Sequence, residues 1–436
     1  MELFPAPLNS CLLGVSGAIP RTSARNVIES SIDSASVIEH TPVNSQLDGS
    51  LTDNFVDYNI HPVQGLTDLS DLTLELKGYL TKEDGTQLVD ADNVLILNNG
   101  LHSLIKSVTV IANNTQIEFS GNYSINSYIN QITGFSPHDL LQRGELIGLR
   151  DPSFAPKQIT DQHFADMPES LKRYMKRIKD EGIHFKGPLM IDIATVSSYL
   201  LSGVHIKIKI ELHEPSYYLC SPNLRPKLKI SSMKLFTRVL KLRQNMALGL
   251  ENTIKRSPVV YSFRKQMGKS FVIPSRQTHI NIENPFISGI PEKIFIVMID
   301  HQAYVGSSYK SNSFYFDHNQ LKRISITLND SYKYNCTAQF PSDTTDIYYE
   351  TLRALGSDHD HLLNRNVFEK GTTILAFNLN PELLKDALHL NKTGVLRVNI
   401  ELTQPSQENI SLYMLGEFQS YLKITHERQI SLHHPS

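Results

Sequence analysis

The chain has 436 residues, enough for two or three domains with cores of their own, and its 40% hydrophobic and 20% charged residues exclude a disordered or collagenous protein. Lys and Arg total 42 against 44 Asp and Glu, a net charge of -2 that excludes the broad positive field of a dedicated nucleic-acid binder, so no sequence-specific nucleic-acid binding is expected. Cys11, Cys220 and Cys336 are too few and too far apart for a disulfide framework or a zinc knuckle and read as buried thiols of a protein kept in a reducing compartment.

Residues 1–50 are rich in Ser, Pro, Asn and Thr with weak periodicity, which predicts an extended arm or loosely packed lead-in rather than a domain, of a kind that often orders only against a neighbour. No run reaches the roughly twenty apolar residues of a membrane span. Met1 to Pro20 also lacks a basic segment ahead of Leu12 and Leu13, so neither a transmembrane segment nor a secretory signal is expected. Sequons such as Asn113 to Thr115 and Asn391 to Thr393 are then chance matches.

Beyond the arm the pattern is β. Leu72, Leu74 and Leu76 alternate with Thr73, Glu75 and Lys77, and Asp84-Gly85 supplies a tight turn. Ile206, Ile208, Ile210 and Leu212 alternate with Lys207, Lys209 and Glu211, which requires one dry and one wet face. Further strands are predicted at 104–111, 228–242, 294–299, 324–328, 374–379 and 395–402. Many short strands separated by turn residues predict a sandwich or barrel. Helical spacing is confined to Leu171, Met175 and Ile178, set among Lys172, Arg173, Lys176, Arg177 and Lys179, and to the stretch from Arg243 to Ile254.

The order of elements occurs twice. Ser202-Gly203-Val204, Ile210-Glu211-Leu212 and Pro215-Ser216 return as Thr393-Gly394-Val395, Ile400-Glu401-Leu402 and Pro405-Ser406, an offset of 190 to 191 residues. Ile105 to Val110 parallels Leu321 to Ile326 at an offset of 216, each followed by an Asn-rich turn (Asn113-Asn114; Asn329-Asp330) and then by a Tyr-bearing segment. Lys186-Gly187 and Lys370-Gly371 are each expected to precede a strand. Roughly thirty extra residues around Asp139 to Ser170 explain the shrinking offset, so a domain of ordinary size has been duplicated in tandem. The predicted division is an arm at 1–50, β domains at 51–220 and 221–425, and a tail at 426–436 that includes His433, His434 and Pro435.

Several stretches resemble the double jelly-roll major capsid proteins of the Maverick/Polinton and adintovirus-like group. They are Asn98-Asn99-Gly100-Leu101-His102-Ser103-Leu104, Phe271-Val272-Ile273-Pro274-Ser275, Asn284 to Pro291, Ile299-Asp300-His301-Gln302-Ala303-Tyr304-Val305-Gly306-Ser307, Asn312-Ser313-Phe314-Tyr315-Phe316-Asp317-His318, and Lys370-Gly371 through Phe377-Asn378-Leu379-Asn380-Pro381. The match is collinear from about residue 50 to about 425 and strongest from 225 onward. It departs at Ser313, where the group carries Pro, and at Asn329-Asp330, where it carries Gly. The resemblance implies an all-β fold of two tandem eight-stranded jelly-roll barrels with few short helices, and an icosahedral shell of pseudo-hexameric homotrimers. It also implies neighbouring capsomers and a minor capsid or vertex protein as partners, a place in the virion capsid after assembly inside the host cell, and no cofactor or catalysis. His102, Ser103, Pro274, Asp300, Ala303, Gly306, Asn312, Phe314, Phe316, His318, Gly371, Phe377 and Pro381 are the motif positions, expected to be structural.

Competing chemistries are weaker. Asp358-His359-Asp360-His361 has metal-ligand residue types, but its Gly356-Ser357 lead-in favours a mobile polar turn. A cupin-like enzyme needs two His and a Glu on strands at a barrel mouth, and the next carboxylate after His361, Glu369, is off that pattern. The basic helix at 171–179 could meet phosphate or an acidic partner, although such a run is usually a solvated face. His102 and His318 are expected to be hydrogen-bonded structural residues. The alternative function is a co-opted β-sandwich module binding a glycan or protein, which the absence of Trp disfavours for sugar stacking.

Overall fold

The computed structural model describes residues 32–44, 54–61, 65–154, 156–196, 198–356, 360–380 and 392–433. The first strands are β1 (Ile32–His40), β2 (Phe55–Ile60), β3 (Leu66–Thr81), β4 (Leu95–Ile96), β5 (Ile105–Ala112), β6 (Thr115–Ser120), β7 (Ile183–Pro188), β8 (Ile206–Leu212), β9 (Leu219–Cys220) and β10 (Lys227–Leu242). They are followed by β11 (Val259–Ile273), β12 (His279–Glu283), β13 (Lys293–Asp300), β14 (Leu321–Leu328), β15 (Ser331–Thr337), β16 (Leu375–Asn378), β17 (Leu396–Leu402), β18 (Ile410–Ile424) and β19 (Ile430–His433).

The pairing repeats. Antiparallel sheets β1-β10-β3-β7 and β2-β8-β5-β6 in the first half are matched by β11-β18-β13-β16 and β12-β17-β14-β15 in the second. Replacing β1, β2, β3, β5, β6, β7, β8 and β10 by β11 to β18 in turn converts one order into the other. Eight strands in two four-stranded sheets, with the chain crossing between sheets at almost every step, make a jelly roll, and this chain holds two.

Local chemistry accounts for the strands. In β8, Ile206, Ile208 and Ile210 are buried while Lys209 faces out. The β5–β6 and β14–β15 hairpins turn through Asn113-Asn114 and Asn329-Asp330, all four with positive φ, the paired left-handed conformation of the tight hairpin turn that Asn and Asp tolerate without Gly. Asp84 Oδ1 accepts hydrogen bonds from the amide and hydroxyl of Thr86, fixing the turn predicted there.

The division of the chain differs from the sequence reading at three places. β10, expected to open the second roll, pairs with β1 and β3 and closes the first. The last repeated pair, Pro215-Ser216 and Pro405-Ser406, precedes the final strand of each roll, so a boundary drawn at the repeat's end cuts that strand off. β1, inside the predicted arm, is ordered against β10 of its own chain, while residues 1–31 lie outside the described residues. β19, inside the predicted tail, pairs with β18, and its His433 stacks on Tyr421 with centroids 5.0 Å apart, whereas His434 and Pro435 lie outside the described residues. Lys186-Gly187 sits within β7 rather than ahead of a strand.

Both predicted helices form, at Glu169–Glu181 and Gln244–Arg256. Two more, Tyr123–Gly134 and Thr345–Leu355, follow β6 and β15 at the repeated Tyr-bearing segments, so helices are more extensive than expected.

Ile208→Ala should cost about 2–5 kcal/mol of unfolding free energy through lost burial and an unfilled space, whereas Lys209→Ala on the wet face of β8 should change it by less than about 0.5 kcal/mol. Chemical denaturation of the two variants checks the assigned faces.

Candidate functional site

The two rolls meet along a buried seam, and most of the motif positions lie in it. On the first-roll side stands the Tyr123–Gly134 helix, which packs on β5 and on the short helix Gly100–Ser103. It is buried nearly all round, because the second roll covers the face its own roll leaves open. Tyr128 meets Phe314 and Phe316 edge to face at 5.0 and 5.5 Å, and Tyr217 meets Phe314 at 6.1 Å. Such pairs add about 0.5–1.5 kcal/mol each beyond the apolar area they bury.

The second-roll side is the connection from β13 to β14. Asp300 caps the short helix His301–Tyr304, its carboxylate accepting from the amides of Gln302 and Ala303. Gly306 has a φ of +67°, and a Cβ there would stand 3.0 Å from that of Tyr217, so the close approach requires glycine. Its carbonyl accepts from Ser216 Oγ at 2.6 Å. The Ser313 hydroxyl reaches the carbonyls of Ala303 (2.8 Å) and Tyr217 (3.0 Å), so the residue standing where the resembled group has Pro contributes a donor across the seam. Asn312 Oδ1 accepts from the Phe314 amide while its Nδ2 donates to Pro156 O. Phe316 and Gly371 are tied by a backbone bond, with Tyr315 lying over Gly371 where a Cβ would clash.

Further along, Tyr304 and Tyr413 donate to Asn122 and Asn126 at 3.1 and 2.5 Å. Gly268 lies opposite Tyr413, and a Cβ there would fall 1.8 Å from the phenol oxygen. Buried Glu118 accepts from the amides of Asp192 and Ile193, Asp192 accepts from the Gln266 amide, and Gln266 exchanges side-chain bonds with Asn130. Burial raises the Glu118 carboxyl above the usual carboxylate range, and burial together with Glu118 raises Asp192. Lys157 meets Asp317 at 2.7 Å, and this contact outweighs burial to hold the Asp317 carboxyl below its ordinary value.

The remaining described motif positions lie away from these cross-seam contacts. His102 and His318 occupy matching places before β5 and β14. His102 is fully buried, with Nδ1 2.9 Å from the Tyr123 hydroxyl, and burial depresses it to about 3, so the ring is neutral. His318 stacks on Phe340 at 4.3 Å and accepts from the Gln320 amide. Ser103 donates to Gly100 O. Phe377 is buried in β16 beside Tyr334, 5.0 Å between centroids. Pro274 lies exposed just past β11, and Pro381 lies outside the described residues.

Among the described residues no group of three or more His, Cys, Asp or Glu is placed to hold a metal. Asp358 and His359 lie outside them, while His361 Nε2 pairs with Gly356 O at 3.1 Å. Cys220 and Cys336 are buried free thiols, and Cys11 lies outside the described residues. The basic helix is partly neutralised, with Arg177 3.5 Å from Glu145 and Lys176 3.6 Å from Asp90. Tyr128, Tyr413, Glu118, Asp192, Gln266 and Gly268 are seam residues the sequence reading missed. A glycine inside a strand was the available signal for Gly268.

Gly268→Ala should lower stability by about 1–3 kcal/mol through overpacking against Tyr413, and scanning calorimetry should show its unfolding broader than that of the unchanged chain, or split, as the rolls uncouple. His102 and His213 are both depressed to about 3 in the folded chain, chiefly by burial, against 6.5 unfolded. The unfolded chain therefore takes up protons that the folded one refuses, and each group removes about 1.4 kcal/mol of stability per pH unit as pH falls from 6.5 towards 3. Glu118, whose folded pKa is raised, acts oppositely, its stabilising proton being lost as pH rises above the ordinary carboxylate range. Glu118→Gln should thus make stability rise more steeply with pH over that window, as measured by denaturant midpoints at stepped pH.

No family model and no curated protein matches the chain. Its structure is similar to solved viral chains. One belongs to the Sputnik virophage solved by electron cryomicroscopy (TM-score 0.58, 9% identity, 95% of this chain and 91% of that one). Others are the Faustovirus major capsid protein (0.56, 10%, 92% and 92%) and the mavirus major capsid protein (0.52, 9%, 100% and 96%). At such identities the likeness is one of fold, and over nearly the whole length of each chain that fold is the double jelly roll.

Proposed function

We propose that this chain is a major capsid protein: a structural, non-enzymatic subunit that forms homotrimers of pseudo-hexagonal outline and tiles an icosahedral DNA-virus shell. The observation that carries this reading is the pair of jelly rolls with identical strand order, locked by a buried seam and matching major capsid proteins from end to end. Three chains would supply six barrels, and a heterologous contact that closes after three rotations needs two complementary faces on each chain.

The duplicated fold offers such faces. The Thr345–Leu355 helix holds in the second roll the place that the Tyr123–Gly134 helix holds in the first, yet its Tyr349 remains 63% exposed whereas the first helix is buried nearly throughout. The first-roll counterpart of the 301–318 connection is the stretch at 82–104. In this reading the helix of one copy meets that stretch of the next, repeating the seam between chains. The Maverick/Polinton and adintovirus-like affinity rests on the motifs around Asp300, Asn312 and Gly371. Neighbouring capsomers and a minor capsid or vertex protein are the expected partners, in a shell assembled inside the host cell.

Sedimentation of the purified protein should give a species three times the 49.3 kDa of one chain. Tyr349→Asp should leave the fold intact and shift the species to monomer. A wild-type protein that stays monomeric under all assembly conditions would favour the free-standing binding module instead.

A further inference from the structure

Described residues of the inserted stretch from Asp139 to Gly182 line an open-sided pocket of about 200 Å³, to which the second roll contributes Asn312. Its walls are mainly apolar, formed by Leu95, Leu97, Pro156, Pro168, Leu171 and the ring of Tyr174. Into this wall the fold sets Arg150. Its backbone is fastened to Asn98, whose Oδ1 accepts from the Arg150 amide at 2.8 Å and whose Nδ2 donates to the Arg150 carbonyl. The guanidinium lies 5.0 Å from the centre of the Tyr174 ring and donates through Nη2 to Ile96 O at 2.6 Å. Among the described residues its buried Nη1 has no hydrogen-bond partner.

The two carboxylates of the wall are engaged elsewhere. Asp151 Oδ1 accepts from the amide and hydroxyl of Ser153, and Glu145 lies 3.5 Å from Arg177. A desolvated cation with no carboxylate partner among the described residues is costly to hold, and an anion seated beside it recovers much of that cost. The buried chain from Glu118 through Asp192 to Gln266, by contrast, is paired.

We propose that this pocket binds a small monocarboxylate with an apolar stem, the carboxylate facing Arg150 and the stem lying against Tyr174, Leu171 and the two prolines. The pocket's volume limits the stem to a single small ring or a short chain, and the amides of Asn98 and Asn312 add polar neighbours at the same wall. The site shares Leu95, Leu97 and Asn98 with the stretch at 82–104, but its chemistry does not require the chain to be a capsid protein.

Titration calorimetry with benzoate as the probe tests it on the full chain, with neutral benzamide and inorganic phosphate as controls. Benzoate should bind at least tenfold more tightly than benzamide and than phosphate. Ser170→Trp, at an exposed position on the pocket rim, should abolish benzoate binding with the fold unchanged, and Arg150→Met should do the same where it folds. Equal affinity for benzoate and benzamide would remove the role of the charge. Equal affinity for phosphate would remove the apolar stem, and benzoate binding that survives Ser170→Trp would place the ligand elsewhere; each overturns the proposal.

Discussion

The contact of Tyr128 with Phe314 and Phe316 is the constraint on which the molecule's geometry rests. A jelly roll completes its own core, so two of them joined by a linker could take any relative orientation. Here the helix after β6 is apolar or small on nearly every side and cannot be satisfied by its own roll alone. Burying its remaining face under the β13–β14 connection fixes the angle between the rolls. Because the interlocking parts are rigid rings, glycine-permitted close approaches and paired side-chain amides, the relation between the rolls is specific rather than merely adhesive.

In the proposed capsid role that specificity would matter, because such a subunit must meet copies of itself in one way only. The sheets expose edge strands, and these carry the charged and polar residues that discourage indiscriminate strand pairing. β12 shows His279, Asn281 and Glu283 at its surface or partly so, and β15 shows Ser331, Tyr332, Lys333 and Asn335. The proposed association would then fall to side-chain surfaces such as the Thr345–Leu355 helix, whose Tyr349 is exposed. Near-neutral net charge adds little self-repulsion to oppose close packing.

Where one face of a strand is wet, the sequence announces it. β8 was legible from Ile206, Ile208 and Ile210 because Lys207, Lys209 and Glu211 mark the opposite side. β18 was not, because it is buried on both faces for most of its fifteen residues and reads as an apolar run without period two. The duplication was legible because its hairpins use Asn and Asp for the same left-handed turn, but its boundary was not, since the closing strands follow the last shared motif. The motif residues pointed to the seam through Asp300, Gly306 and Phe314, each held by a backbone requirement or a large ring. Its polar half, Glu118 with Asp192 and Gln266, joins residues 74 apart along the chain, each ordinary in its local context. No pattern within a strand or helix records that pairing.

Electron cryomicroscopy of the assembled protein tests directly whether chains of two interlocked barrels close in threes. The account predicts capsomers with six barrel densities in a pseudo-hexagonal outline, alternating between first and second rolls around the ring. Particles that contain only one pair of barrels, or chains whose two barrels take variable relative orientations, would contradict it.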